Sequence, residues 1–281
     1  MAQVKRKEKE RAADAPAPAG EAPEAAPSDP TPWQPPQPLS RGARFVLLGI
    51  VALANLPLIH YALRGEQEAT LQLPYQDDFS DRTTVERNYW ANGSFWRTVN
   101  GQLLAPGAKN NPLWLKAKLP HDVAIEFDVR SDSPEGDIKC EIFGDGLNHA
   151  SGYVLVHGGW NNSVSIIARR DEHGPSMAAL QQEARKVASA QGLPQANLVD
   201  TGVFRADTRM RVEANPYPVQ IGRMYHWRIE RRGTLLRWSI DGKPFMEFDD
   251  PFPLEGKGHD RFGFSSWEAS LYFDNLTITP I

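Results

Sequence analysis

The chain has 281 residues and a formal net charge of −4, and its composition is too uneven along its length for one uniformly folded unit. A single cysteine, Cys140, excludes an intrachain disulfide framework. Residues 65–281 carry 23 Lys and Arg against 29 Asp and Glu, which argues against nucleic acid as a partner.

Residues 1–44 are rich in proline and alanine and poor in aliphatic side chains. Such a stretch cannot bury enough apolar surface to offset its ordering entropy, so a disordered tail is predicted there. Next comes "RFVLLGIVALANLPLIHYAL", in which residues 45–63 contain no Asp, Glu, Lys or Arg. Nineteen helical residues span about 28 Å, close to the hydrocarbon thickness of a bilayer, and a transmembrane helix is predicted over 45–63. A leader of 44 residues is far too long for the n-region of a cleaved signal peptide, so a permanent signal anchor fits better. Lys5, Arg6, Lys7, Lys9, Arg11, Arg41 and Arg44 precede the span, and Arg64 alone closely follows it. That asymmetry places the N-terminus in the cytoplasm and the C-terminal domain in the periplasm or outside the cell. Asn55 and Pro57 lie within the span, either as a tolerated kink or as a contact with another membrane protein.

After a linker at 64–74, the dominant signal from residue 75 onward is period-two alternation broken by Gly, Pro, Asn and Asp. In "DVAIEFDVRS", Val123, Ile125, Phe127 and Val129 share one face. Tyr225, Trp227 and Ile229 do so in "YHWRIERRG", and Leu236, Trp238 and Ile240 in "LLRWSIDG". Asp241-Gly242 supplies a tight hairpin turn. Ile138, Cys140 and Ile142 point one way in "IKCEIF", so Cys140 reads as a buried small hydrophobe. In the last strand Leu271 and Phe273 differ in parity from Leu276 and Ile278, which requires a bulge near Asp274 and Asn275. Roughly a dozen strands predict a β-sandwich over 75–281. "PSMAALQQEARKVASAQG", residues 175–192, predicts one inserted helix, capped by Ser176 and ended by Gly192.

The segments "YQDDFSD", "GSFWRTVNGQLL", "AIEFDVRSD", "YHWRIERRGTLLRWSIDGKPFMEF" and "FGFSSWEASLYFDNLTI" resemble the concanavalin A-like lectin and glucanase superfamily. In particular they look like its laminin-G-like and 3-keto-disaccharide-hydrolase-like members. The resemblance covers residues 75–281 and implies an all-β jelly-roll sandwich. It carries over no catalytic residue, because its motifs specify the fold. Laminarinase-type members place Glu-x-Asp-x-Glu or Glu-x-Asp-x-x-Glu along one strand. Here Glu126 and Asp128 match the first two members, but Arg130 and Ser131 stand where the third belongs. Those two carboxylates therefore read as a solvated outer face.

Three stretches offer candidate ligand contacts. "HGGWNNS" lies between strands as a five-residue hairpin connection, Gly158 to Asn162, whose glycines and asparagines tolerate left-handed backbone. A turn has no need of an indole. Trp160 either stacks on a sugar beside Asn161 and Asn162 or packs under neighbouring loops. Arg169 with Asp171, and Arg209 with Arg211 and Glu213, form a second candidate, able to grip carboxylate or sulfate if their strands line a groove; ion pairs on a solvated face are the alternative. In "SSWEAS", Trp267 and Glu268 occupy the final hairpin loop, near the same rim. "DEHG" gathers Glu172 and His173 where acid–base chemistry could occur, or as ordinary polar loop residues. "NNS", "NGS" and "NLT" match glycosylation acceptors. No Cys or His spacing resembles a zinc site and no Asp-rich loop demands calcium, so no metal or cofactor is expected.

The expected function is a single-pass membrane protein displaying a jelly roll that binds carbohydrate or another envelope ligand without catalysis. The alternatives are an accessory subunit of a membrane complex, with contacts through the helix and the jelly roll, and a glycoside hydrolase or lyase.

Overall fold

The protein was analysed as a computed structural model that describes residues 37–62, 68–214 and 216–281. The tail predicted over 1–44 lies outside the described residues up to position 36, as do residue 63 of the predicted span and residues 64–67 of the linker predicted at 64–74. Residues 41–44, predicted as tail, are helical, because the helix runs Arg41–Ala62. Ser40 explains the earlier start: its Oγ accepts the Ala43 N–H at 3.2 Å and its carbonyl accepts the Arg44 N–H at 3.0 Å. None of the apolar window Arg41–Ile59 is buried, and among the described residues this helix alone is long and apolar enough to cross a membrane. Asn55, predicted to offer bonds to a neighbouring helix, spends one amide N–H on the Val51 carbonyl, 2.7 Å away in the preceding turn.

The strands of the C-terminal domain are β1 (Tyr75–Asp77), β2 (Tyr89–Ala91), β3 (Arg97–Val99), β4 (Gln102–Pro106), β5 (Leu113–Leu115), β6 (Val123–Ser131), β7 (Ile138–Gly144) and β8 (Tyr153–Gly158). They continue with β9 (Val164–Arg169), β10 (Met210–Glu213), β11 (Tyr225–Arg232), β12 (Leu235–Ile240), β13 (Lys243–Asp249), β14 (Arg261–Ser265) and β15 (Ser270–Pro280). The first sheet is ordered β13-β12-β11-β6-β15-β4-β3, with β1 also on β15; the second is β10-β9-β8-β7-β14-β5-β2. Every pairing between named strands is antiparallel, so the domain is a two-sheet, jelly-roll sandwich.

The alternating residues read as inward do meet in one core: Phe127 lies 5.4 Å from Trp227 and 5.4 Å from Phe264, and Trp227 lies 4.3 Å from Trp238. Asp241 (φ 52°) and Gly242 (φ 72°) make the tight turn between β12 and β13. In β15 the register shifts between Asp274 and Thr277, with Asn275 left-handed at φ 51°, so Leu271, Phe273, Leu276 and Ile278 are all buried. Cys140 is buried as expected, and burial together with the charge of Glu141 pushes its thiol well above the usual range. The inserted helix runs Met177–Gln191. Ser176 Oγ accepts the Ala179 N–H, and Gly192 ends the helix in the left-handed region at φ 67°.

The second sheet departs from simple two-layer expectation, because its outer face is also covered. Val154 and Val156 on β8, with Ile166 and Ala168 on β9, form a second buried apolar cluster beside the buried Lys139 and Glu141 of β7. This arrangement corrects the reading of Arg169. Register pairs Arg169 with Met210 and Ala168 with Arg211, so Arg169 faces the core side with Met210 while Arg211 faces out. Arg169 is 1% exposed. Its Nε donates to Asp250 Oδ2 at 2.7 Å, and its Nη atoms donate to the carbonyls of Thr208, Ala206 and Phe252. Tyr153 donates to the same carboxylate oxygen at 2.6 Å. Four of its five N–H donors are thus used within the protein, and its burial keeps the group away from a ligand.

Two stability predictions follow from these buried groups. Arg169→Ala leaves the Asp250 charge buried and unpaired, and is expected to cost about 3–5 kcal/mol in urea unfolding of the isolated domain. His157 is fully buried, donates from Nε2 to the Tyr217 carbonyl at 2.7 Å and stacks on the Tyr217 ring. Burial, which outweighs that bond, pushes its pKa down to about 4. The folded value lies below the unfolded one of about 6.5, so the contribution of neutral His157 is complete above that pH and is lost as pH falls toward 4. Wild type is expected to lose about 2–3 kcal/mol more than His157→Phe between pH 7 and 4.5; parallel pH slopes would remove His157 as the cause.

Candidate functional site

The outer side of the second sheet holds a cavity of about 440 Å³, walled by β7, the β8–β9 connection and the β14–β15 loop, with Asn110 and the Glu172–His173 segment also lining it. Its floor comes from β7, where Ile138, Cys140 and Ile142 face the core and Lys139 therefore faces out. Asp137 precedes the strand, in a left-handed turn with Gly136, and its N–H donates to the Gly158 carbonyl at 2.9 Å. A Cβ on Gly136 would lie 2.8 Å from both Gly158 O and Asn162 Oδ1, so only glycine lets these two loops approach.

The second wall is the β8–β9 connection. Gly158, Trp160, Asn161 and Asn162 all have φ between 50° and 69°. The Asn162 amide holds this turn in place: its Nδ2 donates to Val219 O and its Oδ1 accepts the Val219 N–H, each at 2.7 Å. These paired hydrogen bonds hold the Asn162 amide on the backbone, and the residue does not border the cavity. Trp160 is 41% exposed, with the His173 ring edge-on at 5.6 Å and the Arg211 guanidinium 5.6 Å from the ring centroid. Its indole therefore borders the cavity, and so does Asn161.

The third wall is the β14–β15 loop. Trp267 is 47% exposed, and its N–H donates to Asp137 Oδ2 at 2.7 Å. The Lys109 ammonium lies 4.8 Å from the Trp267 ring and pairs with Glu268. Trp160, Asn161, Trp267 and Glu268, picked from two separate stretches of sequence, thus line a single cavity.

A line of charges runs beneath them. Lys139, 3% exposed at its side chain, lies 3.0 Å from Glu172 Oε1 and 3.8 Å from Asp137 Oδ1, and donates to Asn110 Oδ1 at 3.0 Å. His149 sits 3.6 Å from Glu172 and 2.6 Å from the buried Glu141. Burial, with the Glu172 charge adding to it, raises the Asp137 carboxyl against the opposing pull of Lys139 and the Trp267 N–H. Burial tends to lower His149, but its hydrogen bond to Glu141 and the carboxylate charges outweigh that and raise it. An adjoining cavity of about 380 Å³ shares Asn110, Glu172 and His173 and adds His149, Arg170 and Arg209.

The remaining candidates sort by position. Arg209 borders the adjoining cavity. Arg211 is committed elsewhere, with Nε on Glu213 at 2.7 Å and Nη1 on the Glu172 carbonyl at 2.9 Å. Arg169 is in the interior, as described. Glu126 and Asp128 lie on the outer face of the first sheet, where they meet His226 at 3.4 Å and 2.8 Å. Glu135, Asp137, Lys139 and Asn110 escaped the sequence reading. The available signal was "IKCEIF", whose outward residues are ionisable although its neighbours in the sheet read as apolar runs. Among the described residues, no group of three or more His, Cys, Asp or Glu is placed to hold a metal ion.

Neither known protein families nor curated proteins yield a match to this sequence. Among solved structures, carbohydrate-binding module CBM66 from Bacillus subtilis is 13% identical with a TM-score of 0.45, covering 74% of this chain and 98% of its own. The Caenorhabditis elegans galectin LEC-6 is 9% identical with a TM-score of 0.36, covering 69% and 96%. The Crh5 transglycosylase in complex with NAG is 9% identical with a TM-score of 0.48, covering 76% and 86%. At these identities the likeness is one of fold alone.

Proposed function

We propose that the protein is a membrane-anchored, non-catalytic carbohydrate-binding domain whose site is the cavity between Trp160 and Trp267. The observation that carries this reading is the pair of partly exposed indoles on two loops that border one cavity. Sugar rings stack on such faces through their C–H groups, while neighbouring polar side chains bind the hydroxyls. Asn161 and Glu135 border the same space and have no side-chain hydrogen bond or ion pair among the described residues. The apolar helix Arg41–Ala62 supports an anchor, and the basic residues before it support a cytoplasmic N-terminus with the domain in the periplasm or outside the cell.

Hydrolysis is the second reading, favoured by two carboxylates, Asp137 and Glu172, in one cavity. Binding is preferred because both carboxylates lie against the internal Lys139 and Asp137 Oδ2 also accepts the Trp267 N–H. These contacts hold the groups for structure and compete with any role toward a glycosidic oxygen.

Titration of the detergent-solubilised chain with gluco-, N-acetylglucosamine and uronic acid oligomers, followed by tryptophan fluorescence and calorimetry, tests the reading. At least one oligomer is expected to bind, with Trp160→Ala and Trp267→Ala each weakening it about tenfold, or about 1.4 kcal/mol. Full binding by the double variant would reject this site, and shortened oligomers in the incubated mixture would favour hydrolysis.

A further inference from the structure

The charge of the cavity narrows its ligand. Its lining holds four carboxylates, Glu135, Asp137, Glu172 and Glu268, against the single ammonium of Lys139. Glu268 is paired with Lys109. Lys139 serves both Glu172 and Asp137, so one negative charge of that group is uncompensated. Glu135 has no ion pair among the described residues. Glu172 is 7% exposed, with the Lys139 ammonium 3.0 Å from its Oε1 and donating to its Oε2 at 3.3 Å.

We propose that the indole-lined cavity takes an amine-bearing sugar, a hexosamine residue whose free ammonium sits among Glu135, Asp137 and Glu172 while its ring lies against Trp160 or Trp267. The inference rests on the carbohydrate reading and assigns its substrate class. An ammonium has three donors and meets acceptors that lack them. Partial burial strengthens its attraction to these carboxylates relative to water. The indole faces serve the sugar ring, since the Arg211 guanidinium and the Lys109 ammonium already lie near Trp160 and Trp267. Acidic sugars meet repulsion in the same place. Arg170 and Arg209, which border the adjoining cavity beyond Glu172, disfavour a cation there and so direct the amine toward Glu135 and Asp137.

The test is calorimetric titration of the solubilised full chain with a glucosamine tetramer and with its fully N-acetylated counterpart, at about 50 mM and about 500 mM salt. The free-amine tetramer is expected to bind at least tenfold tighter at low salt, with most of that advantage lost at high salt. Glu135→Gln is expected to narrow the ratio between the two tetramers about threefold or more. Trp160→Ala, which keeps every charge, is expected to weaken the free-amine tetramer about tenfold. Equal or tighter binding of the N-acetylated tetramer, still dependent on Trp160, would overturn the amine assignment and leave the carbohydrate site standing. Free-amine binding that survives Trp160→Ala unchanged would reduce the effect to attraction between a polycation and an acidic protein, and would overturn the assignment as well. Failure of every oligomer to bind would remove both.

Discussion

The buried pair of Arg169 and Asp250 is the interaction on which the rest of the domain turns. Arg169 is the last residue of β9, and the chain then leaves for nearly forty residues before returning as β10. Its guanidinium binds the carbonyls of Ala206 and Thr208 at the end of that excursion, so one side chain closes the base of the insertion. Asp250, from the segment after β13, adds the first sheet to the same knot, and Tyr153 adds β8. Residues 171–173, which supply Glu172 and His173 to the cavity, begin just past this closure. The site thus inherits its geometry from an ion pair that never touches it. A charge pair so completely desolvated persists because four of the five guanidinium donors and both carboxylate oxygens have partners.

Much of the sandwich was legible because period-two alternation reports a sheet with one buried face and one wet face. Phe127, Trp227 and Trp238 declared the core in this way, and Asp241-Gly242 declared a turn through backbone chemistry alone. The second sheet is harder because both of its faces are covered. Its strands "YVLV" and "SIIA" are continuous apolar runs, which carry no parity. The sequence therefore offers Arg169, Arg209 and Arg211 as one outward face, whereas register turns Arg169 inward and Arg211 outward.

The site was half legible for a related reason. Trp160 and Trp267 stood out because a turn has no structural use for an indole, and both border the cavity. Asn162 stood out equally, yet its amide is consumed by Val219, fifty-seven residues away, a contact that no local pattern encodes. Lys139 was hidden by its own strand: in "IKCEIF" the inward residues looked decisive and the outward ones ordinary. Its importance comes from loops that fold over it, above all the segment carrying Glu172.

Three successive non-glycine residues of the β8–β9 connection, Trp160, Asn161 and Asn162, hold left-handed backbone. Each such residue is disfavoured in a free chain, a tryptophan more than an asparagine. The turn persists because the paired bonds of Asn162 to Val219 and the bond from Ser163 Oγ to the Trp160 carbonyl impose it. A loop determined this strongly has little freedom left to surrender when something docks against it. A ligand docking on Trp160 would therefore meet a backbone already fixed, so the entropy of ordering that loop is lost once, at folding.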